Sequence, residues 1–395
     1  MPQNTVSVPA VKEIPELLAP LRERLLADLI TLTQIPAPSG DEGKRVRFLL
    51  DRFIEAGLSD AGTDQIGNAI GRLRGRRHNR TILLAAHLDS VFPATENHQV
   101  TVDSEKVVGP GAGDNAMGAA GLSLLPAVLE HLGLELESDL ILLGSVRSLG
   151  RGNHAGIRFF LDNCGQRIDC GICVEGMQLG RLNAFSIGTA RADIICTIRP
   201  NNGSSRLYAS ESPLVVLNHV VQQILGIPLP TQPYTKIKLG RMHAGRYYDI
   251  EPERAELGLE IVSHSDDMVR QLCGQIADLV AESGARYAVD IQFDPFFTTA
   301  AAGIPFSHPL VKCVADVMNQ LGIEADQTHY PSELCELLMR KIPAVTIGIT
   351  RGVKNHPRDP DHVLIEPMLK GVAQLVGILL AIDEGRADES PAVAR

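Results

Sequence analysis

Short, almost wholly apolar runs alternate with helix-patterned segments along most of this chain, and that alternation limits its fold more than any other feature. Thr81–Ala86, Leu140–Val146, Gly171–Val174 and Ala344–Ile349 are too short for buried helices and lack the polar alternation of a half-exposed strand. Strands of this kind need cover on both faces, the condition of a largely parallel sheet between helix layers. The covering helices are predicted at Leu21–Ile35, Ala116–His131, about Asn153–Asn163, Pro309–Leu321 and Met368–Ile382. Another is expected to start from Asp41 as its cap and run through Ala56, after the breaker Pro36–Gly40. Gly67–Leu73 reads as a further strand. In such folds, sites assemble in the loops at the carboxyl ends of the strands.

Near Ile187 the pattern changes. Arg191–Ile198 alternates as a half-exposed strand, Pro213–Leu225 is helical, and Tyr234–Met242 and Ala255–Val262 are strands. Asp266–Ser283 is a helix and Tyr287–Phe293 a final strand. This β-α-β-β-α-β order predicts a ferredoxin-like α+β layer at 187–302, inserted into an α/β domain made of 1–186 and 303–395. The tail Asp383–Arg395 is small and polar and is expected to be disordered.

Composition removes several functions. With 37 basic against 47 acidic residues, the net charge of −10 provides no global field for nucleic acid or an anionic membrane. Aromatic residues are 4% and Trp is absent, against a stacking platform for single strands. The longest apolar stretch, Gly371–Ile382, is far short of the ~20 residues of a membrane span. Met1–Ala19 lacks the basic and apolar regions of a secretory signal, so a cytoplasmic location is expected. The 7 cysteines are an odd number, and Cys170 and Cys173 sit in an apolar run, which favours buried reduced thiols over a redox or metal pair.

Four places could carry chemistry. His87 and Asp89, two apart after a strand, share a face where imidazole can bind zinc and a carboxylate can orient it. Asp114 lies in the Gly-rich run Gly109–Asn115 ahead of a helix; without a Gly-Lys-Ser/Thr ending, the glycines aim a carboxylate rather than cradle phosphate. Glu175 ends an apolar strand, a costly place for a charge without a partner. His356 lies in the polar loop Arg351–Pro360 after the last strand. Singly, each also fits an ordinary loop residue. Together they line the one edge of an α/β fold where a metal site would be built.

The order of these motifs resembles the zinc-dependent exopeptidase and deacylase family of tripeptidase, acetylornithine deacetylase, succinyl-diaminopimelate desuccinylase and glutamate carboxypeptidase. The matching segments are Pro36–Glu42, His87-Leu88-Asp89-Ser90-Val91-Phe92-Pro93, Gly111-Ala112-Gly113-Asp114-Asn115 and Ile342–Gly348. The resemblance implies a zinc-peptidase-like mixed or parallel sheet flanked by helices, interrupted by a lid or dimerisation domain. It also implies a small peptide or N-acyl amino-acid ligand and a homodimer through the lid. In that family one metal would be held by His87, Asp114 and Glu175, and a second by Asp114, a Glu and His356, with Asp89 supporting the site. The expected pair of glutamates is replaced: Arg147 stands at the general-base position and Ser148 at the second-metal ligand position. The lid departs too, with Asn202-Gly203-Ser204-Ser205-Arg206 where a His-containing segment is usual, and with His243 nearby as a possible substitute. At most one zinc per chain, or none, is therefore expected. Two outcomes follow: a hydrolase of altered mechanism, with Asp89, Glu333 or a substrate carboxylate as proton acceptor, or a non-catalytic homologue that binds or regulates.

Overall fold

The computed structural model describes residues 8–198, 212–287, 289–328, 330, 332–354 and 360–388. They fall into two compact units, Met1–Phe185 with Gly303–Arg395, and Ser186–Ala302.

The first unit is built on a mixed sheet of β1 (Ser59–Thr63), β2 (Ala69–Leu73), β3 (Thr81–His87), β4 (Asp139–Ser145), β5 (Cys170–Met177), β6 (Leu182–Asn183) and β7 (Ala344–Thr350). Their spatial order is β1-β2-β4-β3-β5-β7-β6. The four central strands β4, β3, β5 and β7 run parallel, so their carboxyl ends open on one edge. The antiparallel strands lie outside them. Ile82, Leu83 and Leu84 of β3 are fully buried, each contributing about 2 kcal/mol. Flanking helices are α1 (Arg22–Gln34), α2 (Gly43–Glu55), α3 (Met117–His131), α4 (Ala155–Asn163), α5 (Pro309–Gln320), α6 (Leu334–Met339) and α7 (Met368–Asp383). Ile82, Leu84, Ile172 and Val174 point into the core completed by α1, α3 and α7. The opposite face carries α6, whose Leu337 packs so closely on Gly171 that a Cβ there would meet it at 2.9 Å.

Register sets up the site. In the parallel ladder His87 is opposite Ser145, and Ala85 is opposite Cys173, so Glu175, two residues on, shares the face of His87. A small antiparallel sheet of Thr101–Val102, Lys106–Val108, His362–Leu364 and Gly352–Val353 lies beyond these strand ends in the chain path.

The second unit is an antiparallel sheet in the order Thr235–Ala244, Arg254–Ser263, Gly188–Thr197, Asp290–Thr299, with helices Pro213–Leu225 and Asp266–Tyr287. This is the ferredoxin-like arrangement. Ala190, Ala192 and Ile194 pack with Leu217, Val220, Leu272 and Ile276 from the helices. The alternate residues Arg191 and Asp193 pair with Glu260 (2.7 Å) and Arg241 (2.8 Å) on the other face.

Several expectations need correction. Asp41 does not cap α2: Glu42 occupies that position without a side-chain cap bond, its carboxylate being engaged elsewhere. Gly67, at φ 102°, forms a turn before β2 rather than opening the strand. The second helix of the inserted layer runs on to Tyr287, and the final strand is Asp290–Thr299, because the small residues Ser283 and Gly284 stay on the buried helical face. Asp383 is not the start of a loose tail: it ends α7, and its carboxylate accepts the N–H groups of Glu137 (2.6 Å) and Ser138 (2.9 Å). Residues 389–395 and 202–206 lie outside the described residues. No described helix is long and apolar enough to cross a membrane.

Candidate metal centre

His87 is the last residue of β3, and its two ring nitrogens face two carboxylates. Nδ1 lies 3.2 Å from Asp89 Oδ1, and Nε2 lies 3.2 Å from Asp114 Oδ1. Asp89 is fully buried; Ser39 Oγ and the Leu149 N–H (2.7 Å) both donate to its Oδ2. The Pro36–Gly40 turn and the loop after β4 thus hold the residue that orients the imidazole. Burial opposes the charge on His87, but hydrogen bonds to Asp114 and Asp89 and the charge of Glu175 outweigh it, holding its pKa well above the ordinary value. Burial likewise opposes ionisation of Asp89, yet the bond from His87 brings its pKa below the usual carboxylate range.

Asp114 reaches the site through a loop that glycine makes possible. Gly111 has φ 72°, and a Cβ on Gly113 would lie 2.2 Å from Met177 Cγ. The next residue, Asn115, clamps the loop to β5: its Nδ2 donates to Val174 O (2.9 Å), and its Oδ1 accepts from Gly176 N–H (2.6 Å). These bonds flank Glu175. One donor atom from each of the side chains of His87, Asp114 and Glu175 lies within 4.8 Å of the others. An imidazole and two carboxylates are a donor set suited to zinc, with Asp89 behind the histidine.

Two further cations border this cluster. Lys354 Nζ donates to Asp114 Oδ2 at 2.8 Å, and Arg181 Nη1 is 3.8 Å from Glu175 Oε2. Burial opposes ionisation of Asp114, but His87 and Lys354 hold its pKa far below the usual range. Burial also works against the Lys354 ammonium, and the charges of Asp114 and Glu175 override it, raising its pKa.

Arg147 follows β4 with φ 53°, its N–H donating to Glu42 Oε1 at 2.8 Å and its carbonyl accepting from Ala155 N–H. The residue is exposed. The cation that bonds to Asp114 is Lys354. Ser148 is buried and bonds to Glu333, which also accepts from Ser145 Oγ at 2.7 Å. Burial pushes the Glu333 carboxyl up to about 7, against the moderating charge of His87 and these hydroxyls. His356 lies outside the described residues. The structure brings together His87, Asp89, Asp114 and Glu175, which the sequence grouped, and adds Lys354, a basic residue in the loop after the last apolar strand that the sequence did not single out.

Two other groupings are structural. His154, Cys335 and Glu336 come together in the interior, but Arg158 (2.8 Å) and Arg340 (3.0 Å) already pair with Glu336. Cys170 and Cys173, three apart on β5, point to opposite faces. Burial pushes the Cys170 thiol up to about 12 and that of Cys173 well above its ordinary value.

The fold, a mixed sheet flanked by helices with a ferredoxin-like insertion, is shared with solved peptidases, in keeping with the sequence resemblance. A sequence profile for Peptidase family M28 matches residues 68–145. The di-peptidase Dug1p of Saccharomyces cerevisiae superposes with a TM-score of 0.77 at 11% identity, covering 95% of this chain and 99% of that one. Aminopeptidase PepT of Bacillus cereus gives 0.68 at 15% identity over 91% of this chain and 98% of that one. YxeP of Bacillus subtilis, described as a dinuclear metal-binding peptidase of the M20 family, gives 0.62 at 15% over 92% and 98%. No curated protein matches the chain in sequence.

Proposed function

We propose that this protein hydrolyses an amide bond of a small peptide or N-acyl amino acid, using one divalent ion, zinc, held by His87, Asp114 and Glu175. The observation that carries this reading is the convergence of those three donors at the carboxyl edge of the parallel strands. Held by these three side chains, a divalent ion would supply Lewis acidity toward a carbonyl and lower the pKa of water toward neutrality. The chain's own residues do the rest. Asp89 holds Nδ1 of His87 and thereby turns Nε2 toward the ligand position. Because His87 favours its proton, binding the ion releases it, and affinity falls as the pH drops. With Arg147 exposed and Ser148 lacking a carboxylate, Glu333 is the carboxyl whose pKa suits taking and returning a proton near neutrality. The inserted unit is proposed to carry a homodimer contact. Its edge strand Thr235–Ala244 and the exposed Tyr247, Tyr248 and Ile250 that follow support this.

A second reading, a non-catalytic homologue that binds the same ligand class, is favoured by the Lys354 ammonium on Asp114 and the replacement of both expected glutamates. The test is zinc and cobalt stoichiometry after dialysis, together with hydrolysis of a panel of dipeptides and N-acyl amino acids. One equivalent and turnover, both lost in His87→Ala and Asp114→Asn, support the hydrolase. Ligand binding without turnover in the metal-loaded protein supports the homologue.

A further inference from the structure

We propose that Lys354 is a built-in cation that occupies the outer oxygen of Asp114 and so restricts this centre to a single metal ion. The proposal rests on the one-ion reading above and deepens it. Asp114 presents its two oxygens to different partners: Oδ1 faces His87 Nε2 at 3.2 Å, and Oδ2 faces Lys354 Nζ at 2.8 Å. A carboxylate that bridges two cations uses one oxygen for each, and here the second position is filled by an ammonium.

The backbone puts it there. Lys354 follows Gly352–Val353, whose residues pair with Val363 and His362, and His362 pairs in turn with Val108. From Val108 the chain enters the Gly-rich loop through Gly109, whose N–H donates to Asp361 O at 2.9 Å. One small sheet therefore carries both the lysine and the start of the loop that delivers Asp114. Gly352 is part of the device, because a Cβ at that position would sit 2.1 Å from His362 O. The ammonium's charge repels any second cation brought to Oδ2. The same charge weakens the first ion, since Asp114 is the ligand they share.

The experiment compares zinc affinity and stoichiometry of the full chain with those of Lys354→Met, Lys354→Arg and His87→Ala. Affinity is read by competition with a chromophoric chelator, and circular dichroism checks that each variant is folded. Lys354→Met should bind its first zinc about tenfold tighter or more, and Lys354→Arg should stay near wild type. A wild type that takes up no zinc while Lys354→Met takes up one equivalent overturns the one-ion reading and, with it, the claim that Lys354 limits the centre to a single ion. Equal affinity in wild type and Lys354→Met, with binding abolished by His87→Ala, overturns the lysine proposal and leaves the one-ion reading standing. Two equivalents retained by wild type through dialysis also overturn it. Zinc bound equally by His87→Ala and wild type overturns the ion reading and this proposal with it.

Discussion

Replacing Glu333 with Gln should raise the protein's stability at high pH relative to wild type and leave it little changed at low pH. In the folded chain Glu333 is almost fully buried, and its carboxyl titrates at about 7; in the unfolded chain it titrates at about 4.3. Below both values the two states hold the proton equally. Between them the unfolded chain releases a proton that the folded chain keeps, so wild-type stability falls as the pH rises through that window. Above about 7 both are ionised and the loss is complete. The gap is a little over two and a half pKa units, or about 3 to 4 kcal/mol. At 5% exposure, solvent screening removes little of it. A glutamine carries no such dependence and can keep both hydroxyl partners, because Ser145 and Ser148 can each donate or accept. Urea unfolding of chelator-treated protein at pH 5, 6, 7 and 8 gives the difference between variant and wild type, in which all other titrations cancel. That difference should grow in favour of the variant by about 2 to 3 kcal/mol across the series. Parallel stability curves, within about 0.5 kcal/mol, would refute the assignment of Glu333 as a proton-holding group at this edge.

Two smaller tests probe the loop and the assembly. Gly118→Ala in α3, a change that favours an ordinary helix by about 1 kcal/mol, should here destabilise by about 1 to 3 kcal/mol, because the new Cβ would meet Asn115 Oδ1 at 2.2 Å and Val174 O at 2.7 Å. Gly121→Ala, whose Cβ finds only ordinary contact at 3.5 Å, is the control and should be neutral or stabilising in the same urea unfolding assay. The homodimer proposed for the inserted unit should appear as twice the chain mass by light scattering at micromolar concentration, and a charged substitution at Met242 on the edge strand should shift it toward monomer.

The fold was largely legible because its signal is local. Thr81–His87 and Ala344–Thr350 are buried on both sides, and that burial demands continuous apolar sequence. The elements missed have weaker demands. Thr101–Val102 is exposed and Gly352–Val353 barely buried, so neither imposes a pattern. Leu334–Met339 is shorter than the repeat by which a helix is recognised. The same division runs through the site. His87 and Asp89 sit two apart, and Asp114 follows its own glycines, so a local reading finds them. Glu175, a charge at the end of an apolar strand, stands out by contrast alone. Glu333 and Lys354 acquire their character from elsewhere: one is buried against residues nearly two hundred positions earlier, and the other meets a carboxylate 240 positions away. Arg147 is exposed, and its backbone is held by a positive φ and the Glu42 carboxylate, neither of which its sequence neighbours signal. The ion pair of Lys354 with Asp114 and the Glu333 carboxyl held near 7 are therefore set by tertiary contacts.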